Sequence, residues 1–201
     1  MRTSISVSNY IKIGAVSGIF ASISFSILWV FAVIVNGNWT LGEDTLSELG
    51  GNVPSRWIFN IAVILAGIGS IRFSFGLARF MAPSLYGRIG GYIMAVAGVG
   101  LISVGFFPID TGDPHTIATI FFFGSAGISA LVLVFPFIKK SGVLSVPTIV
   151  LLAAIIISLI SIGLTPIPFA EAVAVSALLV WLLITSFWML SDMRRLSVNP
   201  R

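Results

Sequence analysis

Six apolar runs, each close to the about 20 residues that cross roughly 30 Å of hydrocarbon as a helix, occupy 11–35, 57–77, 89–107, 116–138, 147–164 and 169–190 of this 201-residue chain. That pattern leaves few folds open, because inside lipid every backbone N–H and C=O must find its partner within the protein. Barrels meet the demand with strands that alternate apolar and polar residues. These runs are long, rich in Leu, Ile, Ala and Gly, and do not alternate. The composition agrees: 57% of residues are hydrophobic, 9% are charged, and the mean hydropathy is +1.10, well outside the range of a soluble domain. The expected fold class is all-α, a polytopic integral membrane protein whose single domain, 1–201, is a bundle of six transmembrane helices.

Basic residues near span ends are retained in the cytoplasm, so their distribution sets an orientation. Arg2, Lys12, Arg72, Arg79, Arg88, Lys139, Lys140, Arg194, Arg195 and Arg201 fall on the side that holds both termini, and only Arg56 falls opposite. Glu43, Asp44, Glu48, Asp110, Asp113 and Glu171 lie on the opposite side, leaving Asp192 among the basic residues. The reading is a plasma-membrane protein with both termini cytoplasmic and its acidic loops outside. Its strongly basic balance is then a topology signal and not a mark of nucleic-acid binding. The first run is too long for a signal peptide and lacks a small-residue cleavage site, so it is expected to be retained. With no cysteine in the chain, disulfides, thiolate metal sites and cysteine nucleophiles are excluded.

The chain divides into three hairpins, with short basic inner connections at 78–88 and 139–146 and unequal outer loops at 36–56, 108–115 and 165–168. The Pro-Ile pairs Pro108-Ile109 and Pro166-Ile167 echo one another without amounting to a repeat. Small residues four apart allow close helix approach in lipid. Gly14, Gly18, Ser22 and Ser26 form one such ladder, and Gly87, Gly91 and Ala95 another; packing within the chain is the reading preferred to a dimer face. Trp39 and Trp57 fall at the outer interface, and Tyr10, Tyr86, Tyr92 and Trp188 at the inner one. Arg72, about five residues inside the second span, is expected to snorkel to inner headgroups.

Polar side chains are scarce within the spans, which places any charge-dependent chemistry at the outer rim. Thr45 and Glu48 have capping-box spacing, predicting a short helix over 46–49 that stops at Gly50 and Gly51. Asp113-Pro114 predicts an N-cap followed by proline at the first position of the fourth helix. His115, the sole histidine, can serve as acid, base or metal ligand. If the outer loops converge, Glu43, Asp44, Ser47, Glu48, Asp110, His115 and Glu171 share one outward cavity. Such a cavity would suit either a divalent cation, with His115, Asp110 and Glu48 as candidate ligands, or the polar part of an amphiphile whose tail enters between helices.

Known catalytic signatures are missing: there is no HExxH pair, Walker loop, GxSxG elbow or dinucleotide fingerprint. A haem held by two histidines is excluded by the single histidine, and no acid lies mid-span as in ion-coupled transporters. Asn38-Trp39-Thr40 matches the N-glycosylation triplet.

The segments Leu46-Ser47-Glu48-Leu49-Gly50, Trp57-Ile58-Phe59-Asn60 and Phe107-Pro108, followed by His115 before the fourth helix, resemble the prokaryotic, largely archaeal, six-helix family known as domain of unknown function 998. There is a looser likeness to Frag1/DRAM-type membrane proteins. The resemblance spans nearly the whole chain, implies a fold more than an activity, and puts emphasis on Ser47, Asn60 and His115. Two functions are carried forward. The first is an outward-facing protein binding a lipid or cation, or an accessory subunit of a membrane complex, whose partners are membrane lipids and other membrane subunits or a second copy. Its ligand-binding residues would be Glu43, Asp44, Glu48, Asn60 and Glu171. The second is a membrane-embedded hydrolase or lipid-modifying enzyme in which His115 is acid/base or metal ligand, Asp110 orients it, and Ser47 or a metal-bound water attacks.

Overall fold

The computed structural model describes residues 2–164 and 168–198. Six helices form: α1 (Arg2–Asn36), α2 (Arg56–Phe80), α3 (Leu85–Phe106), α4 (Asp113–Lys140), α5 (Gly142–Gly163) and α6 (Pro168–Val198). Each contains a stretch long and apolar enough to cross a membrane. Two 3₁₀ turns, η1 (Leu46–Gly50) and η2 (Ile109–Thr111), precede α2 and α4, and no strand occurs among the described residues. The expected all-α bundle is therefore what the chain builds. Thr165, Pro166 and Ile167 of the third outer loop, and Arg201, lie outside the described residues.

Each helix packs on its neighbours in sequence, and α6 returns to pack on α1, closing a ring. Small residues make that approach possible, since lipid supplies no hydrophobic drive between helices and contact distance decides the packing. A Cβ added at Gly14 would lie 2.6 Å from the Gly76 Cα, so α1 and α2 cross with their backbones touching. Gly18 faces Phe73 and Ser186, and the Ser22 hydroxyl donates across to the Leu179 carbonyl at 3.2 Å. The first small-residue ladder is thus used inside the chain, against α2 and α6. Ser26 at its end is exposed and donates only to the Ser22 carbonyl. In the second ladder, Gly87 packs on Met81 and Gly91 on Ala78.

Two details depart from expectation. The inner connection expected over 139–146 shrinks to Ser141, because α4 runs on to Lys140 and α5 starts at Gly142. Pro147 consequently sits inside α5, where it forfeits one intrahelical bond; leaving five more residues without helical bonds near the membrane would cost more. The fourth helix also starts one residue early. Gly112, at φ +72°, offers the carbonyl that receives the first helical bond, from the Thr116 N–H at 3.1 Å. Gly112 is therefore the cap, a left-handed position suited to glycine, and Asp113 falls in the first turn, where its charge complements the helix dipole.

Ion pairs tie both ends of the ring. Arg56 at the start of α2 meets Asp110 in η2 at 3.2 Å. At the end that carries the termini, Lys140 of α4 meets Asp192 of α6 at 3.1 Å and lies 4.2 Å from the ring centroid of Phe80 on α2. Arg72 is exposed on α2, the position from which a long side chain reaches headgroups.

Candidate functional site

The end of the ring opposite the termini is stoppered by η1. Leu46 and Leu49 of this turn are fully buried, which makes the segment a plug seated in the bundle mouth; Leu41 stays outside and exposed. Its helical start follows the capping pattern in part, since the Glu48 carboxylate accepts the Thr45 N–H at 2.7 Å. The Thr45 hydroxyl is turned toward the Glu48 backbone as the other half of the box, but it is buried and makes no hydrogen bond among the described residues.

Four side chains from elsewhere hold the plug. The Trp39 indole N–H donates to the Thr45 carbonyl at 2.8 Å, and the Ser55 hydroxyl to the Leu49 carbonyl at 2.8 Å. Asn60 Nδ2 donates to the Gly50 carbonyl, also at 2.8 Å. From α6, Glu171 accepts the Ser47 N–H at 3.2 Å and the Ser47 hydroxyl at 2.6 Å. Asn60 therefore works as an anchor for η1 and not as a ligand-facing group.

Beside the plug lies a cavity of about 240 Å³ whose walls come from η1, η2, α4, α5 and α6. Ser47, His115 and Glu171 all line it, together with Thr45, Thr119 and Ser158. His115 is buried and reaches the Phe107 carbonyl through Nδ1 at 2.7 Å. A carbonyl only accepts, so Nδ1 carries the proton. In the neutral ring Nε2 is then an acceptor, and the Thr119 hydroxyl, one helical turn along α4, lies 3.3 Å away. Ser158 on α5 is 1% exposed, and its hydroxyl has no partner among the described residues.

A second space of about 50 Å³ lies within the bundle between apolar walls that include Phe25, Val63, Ala66, Phe122, Leu178 and Leu182. Ser47, Thr119 and Glu171 line both spaces. Those three residues thus stand between the polar cavity and the apolar space, each facing both.

The other acids stand apart from this cavity. Asp110 is paired with Arg56, and the groups on the two His115 nitrogens are Phe107 and Thr119, so the expected Asp110 to His115 relay is replaced. Asp44 accepts the Thr40 N–H at 2.7 Å, Glu48 caps η1, and Glu43 is exposed. Among the described residues, no three His, Asp or Glu side chains gather in a metal-holding group. Asn38 is exposed just beyond α1. Thr119 and Ser158 were missed from sequence. Thr119 carried a signal, since it sits four residues after His115 and so on the same helix face; Ser158 was one serine in an apolar run.

Six apolar helices closed into a ring, with a polar cavity at one end, define a multi-pass α-helical membrane protein. A family model described as "Protein of unknown function (DUF998)" matches residues 19–188, and the chain belongs to that family. No curated protein and no solved structure matches the chain.

Proposed function

We propose that this protein binds a lipid-like amphiphile from the outer face of the plasma membrane, with both termini in the cytoplasm. The observation that carries the reading is that a polar cavity of about 240 Å³ and an apolar space of about 50 Å³ adjoin, with Ser47, Thr119 and Glu171 lining both. Ligand sites are commonly apolar clefts with a few convergent polar groups that fix orientation, and here the polar groups cluster at one end only. The headgroup rests on Ser47, His115, Thr119 and Glu171, and the chain descends beside Phe122 and Leu178. An accessory role in a larger membrane complex is compatible with this, the lipid then being held at a subunit boundary.

The test is lipid retention. Wild-type protein extracted with its native membrane into polymer discs and washed should keep a specific lipid, detected by mass spectrometry. Ala66→Phe places a ring in the apolar space and should release that lipid. The same lipid complement in both proteins would refute the proposal.

A hydrolytic reading is favoured by one distance, the 2.6 Å between the Ser47 hydroxyl and Glu171, which places a nucleophile and a base within hydrogen-bond reach. It requires Ser47 to react with a fluorophosphonate probe and Ser47→Ala to abolish the labelling. An unlabelled wild type would remove this reading.

A further inference from the structure

The polar cavity also restricts what kind of headgroup it can take, and this step rests on the amphiphile reading above. No lysine or arginine lines the cavity among the described residues, whereas Glu171 does. A phosphate or carboxylate headgroup would therefore bring its charge into a water-poor site with no cation to offset it. Choline is disfavoured too, since a quaternary ammonium is held by aromatic faces and no Phe, Tyr or Trp lines this cavity among the described residues.

The unpartnered hydroxyls decide between the remaining classes. Among the described residues, Thr45 Oγ1 and Ser158 Oγ are buried without hydrogen-bond partners and line the cavity. Each hydroxyl has a proton to place and lone pairs to fill, and a buried hydroxyl left unpaired is costly. A primary ammonium supplies donors and no acceptor, so it leaves both hydroxyl protons unplaced. An uncharged polyol supplies both kinds of group. Its own hydroxyls can donate to Glu171 and to the Thr119 oxygen, whose proton faces His115 Nε2, while its oxygens accept from Thr45 and Ser158.

The apolar space limits the hydrocarbon. At about 50 Å³ it is smaller than the roughly 150 Å³ apolar cavity that admits benzene. It has room for a stretch of one methylene chain and not for two side by side.

We propose that the ligand is a single-chain lipid with an uncharged polyhydroxyl headgroup, bound through Thr45, Ser158, Glu171 and Thr119. The test uses the full-length protein in phosphatidylcholine nanodiscs and four probes that share the oleoyl or oleyl chain: monooleoylglycerol, oleoyl lysophosphatidate, oleylamine and dioleoylglycerol. Binding is read by native mass spectrometry and by the rise in Tm that a ligand specific for the folded state produces. Monooleoylglycerol should bind at least about tenfold more tightly than the other three, equivalent to about 1.4 kcal/mol. Ser158→Ala should weaken it by about two- to tenfold, the effect of one hydrogen bond, without lowering the Tm of the lipid-free protein, because the hydroxyl has no internal partner to lose. Equal or tighter binding of lysophosphatidate, oleylamine or dioleoylglycerol would overturn the inference and leave the amphiphile reading standing, as would a Ser158→Ala protein that binds monooleoylglycerol like wild type. If none of the four probes binds, both fall.

Discussion

Replacing Asn60 by alanine tests how the plug is held. Asn60 is 6% exposed, and its side-chain amide donates to the carbonyl of buried Gly50 at 2.8 Å. Alanine removes the donor and leaves the Gly50 carbonyl unpaired in a buried site that Asn60 itself packs against. Stranding one buried acceptor costs about 1–3 kcal/mol. If the loss falls on local opening of η1, the open population rises by about 5- to 150-fold, at about 1.4 kcal/mol per decade. Hydrogen exchange at the amides of 46–51, measured by mass spectrometry in detergent or nanodiscs, should accelerate by that factor, with the α3 amides over 94–104 unchanged. Asn60→Leu, which restores bulk without a donor, should accelerate exchange similarly. If exchange over 46–51 stays within about twofold of wild type, the amide is not what secures the plug, and the reasoning from buried-acceptor cost fails at this site.

Helix contact gives a paired prediction. Gly14→Ala drives a methyl into the Gly76 backbone and should lower Tm by the equivalent of about 1–3 kcal/mol, whereas Gly124→Ala enters open space and should leave Tm unchanged or raise it through helix propensity worth up to about 1 kcal/mol. The Arg56 to Asp110 pair is about one-third exposed on each side; Asp110→Asn should cost less than about 1 kcal/mol, and the difference from wild type should shrink in high salt. Orientation is open to labelling, because the chain has no cysteine of its own. A cysteine at exposed Asn52 should react with a membrane-impermeant maleimide on intact cells, and one at Ser141 should react only after the membrane is opened; the reverse pattern would overturn the proposed topology.

The spans were legible because length and hydropathy are properties of contiguous sequence, and 57–77 or 89–107 needs no knowledge of its neighbours to be recognised. The plug was legible in part, through Thr45 and Glu48. What held it was not: Asn60, Ser55 and Glu171 act on η1 across the fold, and no spacing rule links Ser47 to a carboxylate 124 residues away. The acidic loops misled for a related reason. Asp44 and Glu48 have backbone N–H donors three or four residues away, at Thr40 and Thr45, and such local partners need little loop closure. Glu171, in the first turn of α6, is instead directed at η1, which is why it joins the cavity while the loop acids do not. The size of the cavity and its unpaired Ser158 belong to the packing of α4, α5 and α6, which composition alone does not specify.

The closure of the ring by α1 and α6 bears on how the protein is made. Helices leave the ribosome in order, and N-terminal parts assemble first. The first five can pack on their predecessors as they appear, but α1 waits for α6 with its Gly18 and Ser22 face uncovered. Glu171 arrives with the same helix, so the Ser47 contact forms only once the start of α6 has been synthesised. Until then η1 lacks one of its four anchors and the polar cavity lacks a wall. A nascent or truncated chain ending before α6 therefore exposes a small-residue seam in the bilayer, a difference by which membrane quality control can separate unfinished molecules from finished ones.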